Sequence, residues 1–232
     1  MKIGIIGEFK ADSPNHIATN DAIKHSGRRL NATLETEWIS TLRIEEEFER
    51  ITLECTGYLI APGSPYLSME AALKIIGYAR EHKVPLLGTC GGYQHIVIEF
   101  ARNVLGIADA EHAEYDPYAS NLIVSRLSCS LAGQRLDIKL IAPHSAVYRA
   151  IGEAAITENY YCNFGLTPGY QKLLEERGLR TVGVDHTGES RIIELSKHPF
   201  FIGTLFVPQA RSNSEHPHPI ITSFVQHSSR LF

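Results

Sequence analysis

The chain has 232 residues, of which 44% are hydrophobic and 21% charged, and its 22 basic and 26 acidic side chains give a net charge of −4. These values are ordinary for a globular protein and exclude a largely disordered chain. No run of like charges indicates a nucleic-acid arm, and no apolar run approaches the roughly 18 residues of a membrane span. We therefore expect neither a nucleic acid nor a membrane as a partner.

Short apolar runs alternate with helical patterns in the first part of the chain. Strands are predicted at 2–7, 32–39, 57–61 and 84–88, and helices at 17–30, 43–53, 68–82 and 91–104. Regular alternation of strand and helix predicts an α/β protein with a doubly wound, mostly parallel sheet. The strand segments are continuously apolar, which is typical of strands covered by helices on both faces.

The second part of the chain has a different pattern, with shorter and more mixed strand segments. Strands are predicted at 120–126, 136–141, 155–162, 180–186, 190–195 and 200–206, and a final helix at 219–230. We expect antiparallel strands here, added to the main sheet or packed beside it. The sequence contains no internal repeat, and we expect one domain over residues 1–232.

Four cysteines are present, at positions 55, 90, 129 and 162, without a CxxC pair or regular spacing. This usage predicts free thiols in a cytoplasmic protein and gives no reason to expect zinc. Cys55, Cys129 and Cys162 are interpreted as packing residues. The sequence indicates no metal site and no cofactor.

Cys90 stands apart because of its surroundings, Leu86-Leu87-Gly88-Thr89-Cys90-Gly91-Gly92. A strand ends, one reactive residue follows, and a helix begins, which is the cysteine form of the Gly-x-Ser-x-Gly nucleophile elbow. Such a turn holds the sulfur above the sheet at a helix N-terminus, where N–H groups favour a thiolate. The same N–H groups, including that of Gly91, are suited to hold an oxyanion.

The segments at 88–94 (GTCGGYQ) and 98–106 (IEFARNVLG) carry a specific resemblance. They are similar to the class I glutamine amidotransferases, and the second resembles the glutaminase domain of CTP synthase in particular. Further similarities at 59–63, at Asn163, at 198–201 and at 218–220 extend the resemblance over nearly the whole chain. It implies a flavodoxin-like, class I amidotransferase-like fold.

The resemblance also implies roles for individual residues. Cys90 matches the nucleophile that attacks the side-chain amide of glutamine and releases ammonia through a thioester. Gln94 and Glu114 match residues that contact bound glutamine, and Gly63 matches the start of the oxyanion loop.

The sequence departs from the family pattern at the same site. Where the family has His-Pro-Glu, this chain has Val207-Pro208-Gln209, so both the general base and its acidic partner are missing. Loss of a positioned acid–base group typically lowers the rate by about 10²–10⁴-fold. The oxyanion loop contains Pro65, which has no N–H to donate. An arginine that holds the substrate carboxylate in the family aligns near Asn159 of this chain.

Other residues are candidates for the missing proton partner. Glu8 follows the first strand, at the sheet edge where ligands bind in doubly wound folds. In the related DJ-1/PfpI group, a glutamate from this loop faces the elbow cysteine. His95, His112 and His144 are weaker candidates, because isolated histidines more often have surface or capping roles.

Three hypotheses follow from these residues. The chain is a degenerate amidotransferase-like module that binds a small amide, an amino acid or a partner protein. Alternatively, it is an enzyme in which Cys90 acts on another small amide with a rewired base. The third hypothesis, a glutaminase subunit of a separate synthetase, is disfavoured by the missing histidine. Because only the glutaminase part of CTP synthase is matched, we expect a stand-alone domain that does not make CTP by itself, with homodimer formation left open.

Overall fold

The computed structural model describes residues 1–229, and these residues form a central mixed sheet covered by helices. The helices are α1 (Pro14–Arg29), α2 (Ile44–Glu54), α3 (Met69–His82), α4 (Gly91–Asn103), α5 (Ala146–Ile151), α6 (Gln171–Glu176) and α7 (Pro219–Ser228). The strands are β1 (Lys2–Ile6), β2 (Glu35–Ile39), β3 (Gly57–Ile60), β4 (Leu86–Thr89), β5 (Ala110–His112), β6 (Asn121–Arg126), β7 (Arg135–Leu140), β8 (Ala155–Asn159), β9 (Phe164–Leu166), β10 (Leu179–Val184), β11 (Ser190–Leu195) and β12 (Phe201–Thr204).

The main sheet has nine strands in the order β2-β1-β3-β4-β12-β11-β10-β7-β8. The four pairings that join β2, β1, β3, β4 and β12 are parallel. The four pairings from β12 to β8 are antiparallel. A separate three-stranded sheet has the order β5-β6-β9. The predicted α/β class is confirmed, with an antiparallel extension of four strands.

Two helical layers cover the parallel part of the sheet. Helices α2, α3 and α4 pack against one another, whereas α1, α5 and α7 form a second group. Strands β3, β4 and β12 are buried at every residue. Burial on both faces explains why these strands have continuous apolar sequences.

Some boundaries differ from the prediction for local reasons. Helix α1 begins before residue 17, because the Ser13 hydroxyl accepts a hydrogen bond from the N–H of His16 and Pro14 occupies the first turn. Strand β8 ends at Asn159 rather than at 162. The short elements β5, β9, α5 and α6 were not predicted. The predicted helix at 219–230 is observed to Ser228, and residue 230 lies outside the described residues.

Candidate active site

Cys90 joins β4 to α4 in a backbone conformation that side-chain-bearing residues rarely adopt, with φ 53° and ψ −105°. Its N–H donates to the carbonyl of Thr204 in the neighbouring strand β12 over 2.8 Å. Cys90 is the N-cap residue of α4, but its side chain makes no capping hydrogen bond. The sulfur is therefore free for chemistry at the start of a 13-residue helix.

Glycines allow the elbow to pack tightly against its neighbours. A Cβ atom at Gly92 would lie 2.4 Å from the carbonyl oxygen of Ile60, at the end of β3. A Cβ atom at Gly91 would lie 3.1 Å from the backbone nitrogen of Ser64, in the predicted oxyanion loop. The predicted turn and the predicted loop are thus in direct contact.

Three neighbouring groups act on the Cys90 thiol to lower its pKa, although only 7% of the residue is exposed. The contact with the Cys162 thiol lowers the pKa of Cys90 most, and burial opposes this effect. The backbone N–H groups of Gly91 and Gly63 lower the pKa further, whereas the charge of Glu114 raises it. The net effect lowers the pKa of Cys90 below its ordinary value of 9.0, which favours the thiolate.

Cys162 was expected to be a packing residue, but it lies in the site. Its sulfur is 3.4 Å from the carbonyl oxygen of Leu205, and its thiol neighbours that of Cys90. This contact, together with burial, raises the pKa of Cys162 well above the usual range. Cys162 thus remains a thiol that can donate to the Cys90 thiolate.

The prediction missed this pair because the two cysteines are distant in sequence. One signal was present, since Cys90 and Cys162 each stand within a segment that resembles the family. Of the other cysteines, Cys55 is buried as expected, but Cys129 is exposed, so the packing interpretation is wrong for it.

Gln94 is buried and bound entirely to protein atoms. Its Nε2 donates to the carbonyl of Phe164 over 2.9 Å, and its Oε1 accepts from His112 Nε2 at 3.0 Å and from the Ser64 hydroxyl at 3.3 Å. A ligand contact with Gln94 therefore requires its remaining amide hydrogen or the displacement of one partner.

Glu114 has a different environment. Its Oε2 is buried and has no hydrogen-bond partner in residues 1–229, and its charge acts on Cys90. A buried acceptor without a partner is unusual in a protein interior. This oxygen is therefore suited to accept from a ligand donor, such as an amino group.

The two positions predicted to have lost the catalytic base and acid are both buried. Val207 is fully inaccessible, and its N–H donates to the carbonyl of Asn159 over 3.1 Å. Gln209 Nε2 donates to the hydroxyl of Thr89 over 2.9 Å, immediately before Cys90, and Gln209 Oε1 has no partner. These positions lie beside the elbow, on the segment that follows β12.

His95 and His112 are held in neutral forms. His95 Nδ1 is 2.7 Å from the Gly91 carbonyl, so it carries the hydrogen, and Nε2 accepts from the Tyr115 hydroxyl at 2.9 Å. His112 Nδ1 accepts from the N–H of Glu114, and its Nε2 donates to Gln94. Burial lowers the pKa of His95 to about 4 and that of His112 to about 3.

The carboxylate of Glu8 is held by hydrogen bonds from other loops of the protein. Its Oε1 accepts from the N–H of Thr41 at 2.9 Å and from the Thr41 hydroxyl, and its Oε2 accepts from the N–H of Leu67 at 3.4 Å. Glu8 also lines a cavity of about 390 Å³ with Gly63 and Ser64, but Cys90 is not among the lining residues. The structure does not place Glu8 against the thiol, so its acid–base role remains a prediction.

Neither His144 nor His218 is linked to Cys90 by a hydrogen bond within residues 1–229. His144 is exposed. His218 caps α7 and lies 3.1 Å from the buried carboxylate of Glu158. Within residues 1–229, no group of three or more His, Cys, Asp or Glu side chains is arranged to hold a metal. The same residues contain no helix with both the length and the apolar character needed to cross a bilayer.

Comparison with known proteins identifies the family. The family model for class-I glutamine amidotransferases matches residues 15–227, and the chain belongs to this family. CTP synthase of Carboxydothermus hydrogenoformans is 32% identical, over 97% of this chain and 44% of that protein. The chain thus spans a little under half the length of the curated relatives that it matches.

Solved structures agree on the fold. The Trypanosoma brucei CTPS glutaminase domain with bound acivicin has a TM-score of 0.90 and 21% identity, covering 99% of this chain and 94% of that one. A glutamine amidotransferase from Thermotoga maritima has a TM-score of 0.59 and 13% identity, covering 90% of this chain and 76% of that one. The predicted resemblance to the glutaminase part of CTP synthase is confirmed.

Proposed function

We propose that this protein uses Cys90 as a nucleophile on a small carbonyl compound and does not act as an ordinary glutaminase. The supporting observation is that the N–H groups of Gly63 and Gly91 and the thiol of Cys162 lower the pKa of Cys90, whereas the neutral amide of Gln209 bonds to Thr89 beside the elbow. The site thus keeps a stabilised thiolate without the histidine and acid of the family.

A lowered pKa makes the Cys90 thiolate more accessible, and a thiolate attacks without a general base. Its sulfur forms a bond to the substrate carbonyl carbon, and the negative charge moves to the carbonyl oxygen. The N–H groups of Gly63 and Gly91, already directed at this site, are suited to stabilise that oxyanion. The first half of an acyl transfer is therefore chemically feasible.

Departure of the leaving group is the difficult step for an amide. Ammonia or an amine leaves readily only when its nitrogen is protonated, and in the family a histidine supplies this proton. Val207 has no proton to give, and the neutral His95 directs its only N–H to the Gly91 carbonyl. The phenolate of an aryl ester, or the thiolate of a thioester, leaves without this proton while the acyl group stays on Cys90, so such acyl compounds are more favourable substrates than glutamine.

The charges around the site suggest the form of the substrate. The free Oε2 of Glu114 would accept a hydrogen bond from a cationic amino group. Asn159, in contrast, carries no charge to pair with a carboxylate. We therefore favour a small molecule that has an amino group but whose carboxyl group is esterified.

The test compares two reactions of the purified protein, with Cys90→Ala as the control. We expect Cys90-dependent hydrolysis of an amino-acid p-nitrophenyl ester, and no ammonia release from glutamine above the control. Glutamine hydrolysis that requires Cys90 would overturn the proposal, because an unrecognised group would then supply the proton.

A non-catalytic binding module is the second candidate, and two observations favour it. Gln94 is bound to protein atoms on both sides of its amide, and Cys90 is only 7% exposed. In that case neither substrate would react, yet an amino-acid amide would raise the melting temperature. Glu114→Gln should weaken that stabilisation.

A further inference from the structure

Two cysteines from distant parts of the chain meet at the end of β12. Cys90 is fixed there through its N–H, which donates to Thr204 over 2.8 Å, and Cys162 through its sulfur, 3.4 Å from the carbonyl of Leu205. Thr204 and Leu205 are consecutive residues, so one short segment positions both thiols. The two thiols are near enough for each to shift the pKa of the other, and both residues are buried, with exposed fractions of 7% and 4%.

We propose that Cys90 and Cys162 form a reversible intramolecular disulfide when the protein meets a hydroperoxide, with Cys90 oxidised first and Cys162 acting as the resolving thiol. This pairing is a modification of the site that is separate from any acyl transfer. The disulfide could control catalysis only if Cys90 has the proposed function. Its formation as a chemical modification does not depend on that function.

The chemistry takes place in two steps. The Cys90 thiolate attacks one oxygen of hydrogen peroxide, the O–O bond breaks, and the hydroxide that leaves takes a proton to become water. Cys90 is then a sulfenic acid, oxidised by two electrons. The Cys162 sulfur next attacks the Cys90 sulfur, the S–O bond breaks, and a second water leaves with the Cys162 proton. A small dithiol restores both thiols by exchange and is itself oxidised to a disulfide.

The environments of the two sulfur atoms match these roles. The N–H groups of Gly91 and Gly63 and the Cys162 thiol stabilise negative charge on Cys90, the form that reacts with peroxide. Cys162 keeps its proton until it attacks, because the neighbouring Cys90 and burial raise the pKa of its thiol. A sulfenic acid beside a thiol condenses more readily than one that must wait for an external thiol.

The bond also requires movement, because bonded sulfurs lie about 2.05 Å apart. Cys90 is fixed in the turn between β4 and α4, but Cys162 lies in the connection between β8 and β9, outside regular structure. We therefore expect the Cys162 segment to make the adjustment. The disulfide would take the Cys90 sulfur out of any acyl transfer and protect it from further oxidation.

The experiment treats the whole protein with a small excess of hydrogen peroxide, blocks remaining thiols with iodoacetamide, and digests it without reductant. We expect a peptide pair joined through Cys90 and Cys162, which dithiothreitol separates. Cys129→Ser should leave this pair unchanged, because Cys129 is an exposed thiol that takes no part in the proposed pairing. Cys162→Ser should instead accumulate a Cys90 sulfenic acid that dimedone traps.

Peroxide oxidation of the folded wild-type protein that gives only Cys90 sulfinic acid, or only disulfides through Cys129, would overturn the inference. The digest of the wild-type protein decides this even if Cys162→Ser fails to fold. A Cys90–Cys162 disulfide without ester hydrolysis would mean that only the proposed function fails. Ester hydrolysis without this disulfide would mean that only the redox pairing fails.

Discussion

The side-chain amide of Gln209 donates a hydrogen bond of 2.9 Å to the hydroxyl of Thr89, the residue that precedes the reactive cysteine. Gln209 is 1% exposed, and its Oε1 lacks a partner within residues 1–229. An amide, which carries no charge, tolerates this position. A carboxylate there would need a cationic or N–H partner, and the side chain of Val207, two residues earlier, cannot be one.

Gln209→Glu should therefore destabilise the protein at neutral pH, by about 2 kcal/mol or more, since a buried carboxylate without a partner is costly. The fold would raise the pKa of this carboxyl above its unfolded value, so the loss should shrink as the pH falls toward 5. Urea denaturation at pH 8 and pH 5 measures the difference. Gln209→Met, which carries no charge, should show no such pH dependence.

The combination with Val207→His tests the relation between the two positions. If both residues occupy the places of the family base and acid, a histidine at 207 provides the carboxylate with an N–H donor. The double variant should then be more stable than the two single changes predict, by roughly 1 kcal/mol in a double-mutant cycle. A coupling of zero would contradict the assignment of Val207 to that role.

The reactivity of Cys90 should depend on Cys162. The hydrogen bond from Cys162 is the largest influence that lowers the pKa of Cys90, so Cys162→Ala should raise it. The rate of alkylation of Cys90 by iodoacetamide, followed by peptide mass spectrometry across pH 5 to 10, gives this pKa as the midpoint. An unchanged midpoint in Cys162→Ala would show that the contact is absent in solution; Cys129→Ala is the matched control.

Acid should destabilise the protein through its buried histidines. Burial holds the pKa of His95 at about 4 and that of His112 at about 3, below the ordinary 6.5, so the unfolded chain binds protons that the folded chain does not. The free energy of unfolding should therefore fall as the pH drops below 6.5, by up to about 1.4 kcal/mol per pH unit for each histidine, until the folded pKa is reached. His95→Gln should reduce the slope measured by urea denaturation between pH 7 and pH 5, and a variant at the exposed His144 should not.

A buried ion pair between helices α3 and α4 provides a prediction of stability outside the site. Arg80 Nη2 donates over 2.9 Å both to Glu99, whose side chain is inaccessible, and to Glu81, whose side chain is 60% exposed. Glu99→Ala should lower the free energy of unfolding by about 3 kcal/mol, because it leaves a largely buried arginine without its partner. Glu81→Ala, which affects the same arginine, should cost less than about 1 kcal/mol, and equal losses would contradict the argument.

Local patterns predicted the parallel half of the fold well. The conformation around Cys90 is predicted by its own sequence. An apolar strand comes first, glycines permit close packing against Ile60 and Ser64, and a helix follows at once. Short pieces such as β5 and β9 were missed. With three residues each, they are too short to show a period, and they exist because they pair with β6.

The site was predictable only where chain neighbours define it. Gly91 lies next to Cys90 in sequence, and the family resemblance supplied Gly63, Gln94 and Glu114. The contact between Cys90 and Cys162 depends on how β8 and β9 are joined beside β12, which no local pattern reports. Similarly, the hydrogen bonds that occupy Glu8, His95 and Gln94 come from residues far away in the chain.

The backbone angles of Cys90 have a consequence for the stability of the whole fold. At φ 53° and ψ −105°, a residue with a Cβ atom carries strain of about 1–3 kcal/mol, which glycine would largely avoid. Glycine at position 90 would thus relieve this strain but remove the sulfur. The cysteine at this position works against folding, a cost that fits the chemical role proposed for its sulfur rather than the needs of the core.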